Sequence, residues 1–491
     1  MPTPTAAAAA TASVPARALR LGAIAAVACV AQFMIVLDSS IVTVALPAMR
    51  TSLNLSAEQQ QWVINSYLVA LGGLLLLAAR IGDLAGHRRV FRIGLVVFTL
   101  ASLAGGLATN GTMLVAARAV QGAGAAALAP SSLSLITTTH TEAARRVKAL
   151  ALWSLMGGAA GAVGVVLSGI LTAELDWRWV LFVNVPIGAV LFAVSGPVLP
   201  RAPRRAGRGP RLDLPGALLA TAAATILTFG FSRAPAGGWT SAPVIGSLIA
   251  APVLLALFVL VETRSPMPLV PLSFFRSRRL SVGNSIMFCL GATMTSAFVF
   301  ITLYQQQCLG YSALRSGLAL VPITIVLVAG TLLSRPLLLV IGPRVLLAGG
   351  ALITAAGLIW ISSLPTHSAY PLHVLGPTVV AGFGISCMLL SVTVAATSGV
   401  DPKNAGSASG LITTSRQIGG ALGLAVLTSV ADFAARSAGT ADPIAAAVHG
   451  YRVAFLANAG IMLLAAFAAL ILPRAPRRRS QARAVNRNVS R

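Results

Sequence analysis

Residues 79–92 read ARIGDLAGHRRVFR, with Asp83, His87 and four Arg crowded around Gly82 and Gly86. The runs on either side, 59–79 and 93–109, contain no charged residue. A helix of about 20 apolar residues crosses the roughly 30 Å hydrocarbon core of a bilayer, so two such runs parted by a burst of charge read as two membrane spans and the turn between them. The rest of the chain repeats the pattern. Of 491 residues 56% are hydrophobic and 10% charged, against about a quarter charged in soluble domains. Mean hydropathy is +0.86. The expectation is an all-α polytopic membrane protein; a soluble α protein would need polar helix faces, and these segments have almost none.

Apolar runs between charge or Pro/Gly breaks place spans near 21–49, 59–79, 93–109, 112–136, 149–172, 179–199, 212–231, 242–262, 280–305, 313–334, 345–364, 371–395, 405–431 and 451–472, fourteen in all. With the N-terminus inside, the cytoplasmic segments hold 28 of the 36 Arg and Lys, while Arg118 and Arg416 lie within spans. A miscount by one helix would scramble that bias, so it supports both the number of spans and two cytoplasmic termini. The net charge of +25 therefore reads as topology and contact with the lipid bilayer, with no nucleic-acid partner. Residues 1–20, uncharged before Arg17 and rich in Pro, Thr and Ala, read as a disordered cytoplasmic lead, and 473–491 as a basic cytoplasmic tail. Cys29, Cys289, Cys308 and Cys387 lie in or beside spans at no ligand-like spacing, so neither metal nor cofactor is expected.

The charged turn has an echo. GDLAGHRR at 82–89 and LLVIGPRV at 338–345 each place Gly-x-Arg after the second span of a six-span set. The chain then divides into a six-helix bundle over 21–199, linker segments with two extra spans over 200–279, and a second six-helix bundle over 280–472, a 6+2+6 order.

Five stretches, in order, resemble the major facilitator superfamily and, within it, the fourteen-span drug:proton antiporters: LDSSIVTVALP (37–47), RIGDLAGHRR (80–89), RAVQGAGAAALAPS (118–131), DWRWVLFVNVPIG (176–188) and SGLITTSRQIGGALG (409–423). The resemblance implies a proton-driven exporter of hydrophobic or amphipathic drugs or antibiotics that confers resistance. It also implies a monomer in the cytoplasmic (inner) membrane of a bacterium. Gly82, Asp83, Gly86, Arg88 and Arg89 would form its cytoplasmic gate, with Asp83 set against the helix start near 404–406. In two places the chain departs from the family. Ala79, Leu84 and His87 replace a Gly and two basic residues of the gate motif, and in the span-five antiporter motif, here Ala160, Gly164, Val165, Ser168 and Gly169, a Val stands in place of the family's Pro.

Of eleven carboxylates only Asp38 falls well inside a span. An acid at membrane depth costs roughly 2.5–3.5 kcal/mol, which marks it as functional. From a helical rise of about 1.5 Å per residue, Asp38 and Arg118 sit roughly 16 and 9 Å from the outer ends of spans one and four, at similar depth. The pair reads either as a proton switch or as a static ion pair, and Asp38 has Ser39 and Ser40 as local alternatives; the resemblance assigns proton coupling to both charges. Gln121 and Gly122 share the Arg118 helix face. GGAAGAVGVVLSG (157–169) reads as close helix packing or as a hinge. Trp62, Asn65, Tyr67 and Tyr304 are candidates for cavity lining or ordinary packing, and Arg416 with Gln417 for substrate contact or carbonyl pairing. With no second deep acid, neutral, zwitterionic or weakly anionic amphipaths are favoured over dications. A permease for another metabolite, lipid or siderophore on the same fold is the alternative. No paired acids or nucleophile cluster suggests an enzyme, and a sensor would leave Asp38 and Arg118 unused.

The topology has a direct test. On a background without the four native cysteines, a cysteine at Arg89 is expected to react with impermeant maleimide only from the cytoplasmic side, and one at Thr51 only from outside.

Overall fold

Polar caps fix helix ends that apolar content leaves loose. The computed structural model describes residues 14–200, 213–265, 268–366, 370–397 and 405–472. The expected disordered lead up to residue 13, the 201–211 linker arginines, Asn404 and the tail from 473 lie outside them. Its helices are α1 (Val14–Leu53), α2 (Ala57–Ala85), α3 (His87–Gly106), α4 (Gly111–Thr139), α5 (Ala143–Glu174), the one-turn α6 (Trp179–Phe182), α7 (Asn184–Val198), α8 (Leu214–Gly237), α9 (Ala242–Arg264), the one-turn α10 (Ser273–Arg276), α11 (Arg278–Leu303), α12 (Ala313–Ile361), α13 (Gly376–Thr397), α14 (Ala405–Arg436) and α15 (Pro443–Ile471). Among the described residues there is no strand.

Ser56 accepts from the Gln59 amide while Gln59 accepts from the Ser56 amide, a reciprocal box that starts α2. Asn110, Asp213 and Asp442 cap α4, α8 and α15 one-sidedly, each side chain accepting from one backbone amide of the first turn. The helices accordingly outrun the apolar segments. α1 continues to Leu53 rather than 49, α2 to Ala85 rather than 79, and α14 to Arg436 rather than 431, while α15 starts at Pro443 rather than 451. Hydropathy marks only the slab in hydrocarbon, and backbone hydrogen bonding carries on into the polar layer. Arg50, Glu58, Asp83 and Asp432 therefore lie near the ends of helices, and Arg452 well inside α15.

Thirteen described helices are long and apolar enough to cross a membrane. One of them, the 49-residue α12, is two rods. Gly342 breaks it with φ 79° and ψ 165°. Both limbs then flank α13, since Gly330 approaches Ser386 and Gly350 approaches Gly384. Gly86, between α2 and α3, has φ 92° and ψ 127°. The two Gly-x-Arg turns thus share a positive φ that a side chain resists.

Buried apolar residues form two main clusters, one drawn mostly from α1–α7 and the other mostly from α11–α15. α2 packs on α14 and α5 on α12 between them, while α8 pairs with α9 and leans on α2 and α14. The crossings are close because they are bare: a Cβ on Gly169 would lie 2.7 Å from Leu314 Cα, one on Gly72 2.9 Å from Gln417 Cβ, and one on Gly317 would strike the Val165 carbonyl.

Gly317→Val should therefore lower stability by about 1–3 kcal/mol through overpacking. Gly349→Ala, in open space on the same helix, should change it by less than about 1 kcal/mol, both read by thermal unfolding of the purified protein.

Candidate functional site

Asp38 is fully buried on α1 and Arg118 is 2% exposed on α4. Arg118 Nη1 donates to Asp38 Oδ2 at 2.5 Å. Two amides complete the carboxylate: Gln121 Nε2 donates to Oδ1 at 2.7 Å and Asn184 Nδ2, from the start of α7, at 3.0 Å. Both amides also donate to the Ser102 hydroxyl of α3, at 3.1 Å each, and that hydroxyl donates onward to Leu181 O. Arg118 also donates from Nη1 to Gln121 Oε1 at 2.7 Å and from Nε to Val63 O at 3.2 Å. Its guanidinium lies 4.3 Å above the Tyr67 ring.

Local sequence explains the convergence. Arg118, Gln121 and Gly122 occupy one face of α4, and any side chain on Gly122 would collide with the Tyr67 carbonyl. That bare position lets α2 and α4 approach until Tyr67 stacks under Arg118. Ser39 and Ser40 do not engage Asp38; their hydroxyls donate back to Ile35 O and Val36 O. On the other side of α1, a Cβ on Gly164 would lie 2.8 Å from Ser40 Cβ and 3.1 Å from Leu37 O, and Ser168 donates to Ile41 O at 2.5 Å. α5 thus presses on the backbone that carries Asp38 while Val165 and Gly169 press on α12. With Val165 in place of a Pro, α5 runs unbroken from Ala143 to Glu174.

The other candidates stand apart. Trp62 is half-buried, and Asn65 is fully buried with neither amide atom hydrogen-bonded. Tyr304 is buried and donates to Pro365 O at 2.7 Å. Gln417 packs on Gly72 of α2. Arg416 is half-buried, with no hydrogen bond or ion pair among the described residues. A cavity of about 710 Å³ lies between the end of α1 and residues 306–313, and one of about 230 Å³ where α1 and α2 meet α11, α14 and α15; none of these candidates lines either.

In the charged turn, Asp83 is exposed and paired at 3.2 Å with His87 rather than with the start of α14. Arg88 donates to Gly196 O at 2.5 Å and Arg92 lies 4.3 Å over the Phe192 ring, which ties the turn to α7, while Arg89 is exposed. Sequence reading missed Ser102 and Asn184. Asn184 had a signal, as the one amide inside the otherwise apolar VLFVNVPIG; Ser102 had none.

A Major Facilitator Superfamily model matches residues 28–424. The chain belongs to that superfamily. It is 44% identical to the cephamycin export protein CmcT of Amycolatopsis lactamdurans, over 91% of each chain. It is 39% identical to the puromycin resistance protein pur8 of Streptomyces alboniger, over 90% of this chain and 89% of that one. Identity to the lincomycin resistance protein of Streptomyces lincolnensis is 35%, over 90% and 89%. In fold it is similar to an inward-facing bacterial homologue of the lysosomal transporter Spinster, with TM-score 0.64, 18% identity and 94% and 97% coverage. The inward-open xylose transporter XylE of E. coli is similar too, with TM-score 0.61, 14% identity and 93% and 97% coverage. This is a family of multi-pass membrane transporters, not of enzymes.

Because Asp38 and Arg118 are both out of water, removing one partner strands the other, at about 3–5 kcal/mol. Arg118→Met is expected to be that costly in thermal unfolding, and Asp38→Asn added to it should recover most of the loss; independent, additive effects would contradict the pairing.

Proposed function

We propose that this major facilitator is a proton-driven exporter of hydrophobic or amphipathic antibiotics, working as a monomer in the bacterial inner membrane. The proposed architecture is 6+2+6, with both termini in the cytoplasm. The drug-export reading is supported by relatives whose names record cephamycin export and puromycin and lincomycin resistance. The observation that carries proton coupling is the sealed carboxylate: Asp38 accepts from three donors and touches no solvent.

In this arrangement every partner of Asp38 donates, which suits a carboxylate. A proton delivered when the site opens to outside water turns one acceptor oxygen into a hydroxyl donor. On Oδ1 that hydroxyl costs Gln121 and Asn184 their match, while Arg118 keeps an uncharged acceptor at Oδ2 and loses its counter-charge, holding also Gln121 Oε1, Val63 O and the Tyr67 face. α5 touches the α1 backbone on either side of Asp38, at Leu37 and Ile41, through Gly164 and the opposite bundle through Val165 and Gly169, so loosening at Asp38 reaches the crossing between the bundles. Release of the proton inside resets the pair. Each charge crossing 100 mV supplies about 2.3 kcal/mol, enough for roughly a 50-fold gradient. Gly82, Asp83, Gly86, Arg88 and Arg89 serve as the cytoplasmic gate, with Asp83 exchanging its His87 partner for the α14 start when that side closes. A permease with altered coupling is the second reading, favoured by the unbroken α5.

In a pump-deficient bacterium the wild-type chain is expected to lower puromycin and lincomycin accumulation, and a protonophore should abolish the effect. In vesicles, Asp38→Asn should cut pH-gradient-driven flux at least tenfold; flux at the wild-type rate would overturn the coupling.

A further inference from the structure

The 230 Å³ cavity lies between α1 and α2 on one side and α11, α14 and α15 on the other, so it bridges the two helix bundles. Its walls carry one charge of each sign. Asp432 projects from α14, four residues before that helix ends, and Arg50 from the end of α1. The two make no ion pair with each other. Arg50 instead donates to Gln60 Oε1 at 3.2 Å, and Asp432 has neither an ion pair nor a hydrogen bond among the described residues. Arg436, one turn further along α14, is exposed; its charge and that of Arg50 act on Asp432 without an ion-pair contact.

Two further groups lining the cavity lack partners. Gln60 Nε2 and Gln61 Oε1 are buried with no hydrogen bond, on side chains 5% and 7% exposed. A buried amide atom left unmatched costs about 1–3 kcal/mol, so a donor and an acceptor wait here for a ligand or water. Phe300 and Tyr451 supply an aromatic wall, their rings 5.8 Å apart. The volume is below the 300–1,000 Å³ of ordinary drug pockets, which suits a head group rather than a whole drug.

We infer that this cavity is a subsite for a zwitterionic head group, an ammonium seated on Asp432 and a carboxylate on Arg50, with an aromatic or aliphatic body against Phe300 and Tyr451. A ligand so placed fills the gap between two charges that do not reach each other. It also joins both bundles, since its poles sit on α1 and α14. A zwitterion is among the substrates expected from the lack of a second deep acid; Asp432, near the end of α14, adds a carboxylate on the cavity wall. The inference deepens the exporter reading, and only the word substrate rests on it; the binding itself is measurable without transport.

The test uses three matched probes on the purified full chain in lipid nanodiscs at neutral pH, each titrated calorimetrically to about 50 mM, the weak range expected of a head group alone. L-phenylalanine carries both poles, 3-phenylpropionate only the carboxylate and phenethylamine only the ammonium. L-phenylalanine is expected to bind at least about tenfold tighter than either analogue. Asp432→Asn should bring it down to the level of 3-phenylpropionate and leave that acid unchanged; Arg50→Gln should do the same with respect to phenethylamine. Thr428→Leu, which fills the cavity while leaving both charges in place, should weaken all three and covers the case in which a charge variant fails to fold. Equal binding of the three probes, no binding by any, or indifference to the variants overturns the inference. Each of those results leaves the exporter reading standing, whereas loss of drug export with the probe pattern intact would do the reverse.

Discussion

A carboxylate and a guanidinium have to share one dry place in the middle of a bundle, and the first half of this protein is arranged to let them. Neither charge could stay there alone. The bidding of Asp38 for donors draws in α4 through Arg118 and Gln121, α7 through Asn184 and, by way of Ser102, α3; Tyr67 of α2 closes the remaining side of the cation. Five helices are thus fixed relative to one another by a single polar cluster, while the apolar cluster around it sets depth but little orientation.

The small residues follow from that demand. Gly122 is needed because Tyr67 must come under Arg118, and Gly164 because α5 must lie against the backbone next to Asp38. Farther out, the same α5 stripe meets α12 at Gly169 and Val165. One helix therefore touches the buried charge on one side and the opposite bundle on the other, and its unbroken course makes it a stiff connection between the two.

The all-helical, many-span character and the charges within spans, Asp38, Arg118 and Arg416, were legible in the sequence because both are exceptions: charge between apolar runs, and charge within them. Neutral polar residues were harder. Asn184 and Ser102 look like ordinary residues of an apolar helix, and only their meeting around Asp38 gives them a role. Helix ends were misplaced wherever hydropathy and hydrogen bonding part company, which is why the expected span ended at 431, one residue short of Asp432. The turn at 79–92 divides the same way. Its four arginines read in the sequence as a topology signal, whereas the attachment of Arg88 and Arg92 to α7 depends on a helix about a hundred residues away. Gly342 was visible only as a counterpart to Gly86, and its backbone angles supply the physical reason for the likeness.

The contact of Gly317 with the Val165 carbonyl has a kinetic meaning. Interlocked side chains behave like gear teeth: to move, they must first disengage, and the disengaged state has voids that raise the barrier. Backbone lying on backbone has no teeth. The crossing of α5 and α12 at this point is a smooth bearing, on which two bundles can rock through small angles while staying in van der Waals contact. Friction at the joint is then low.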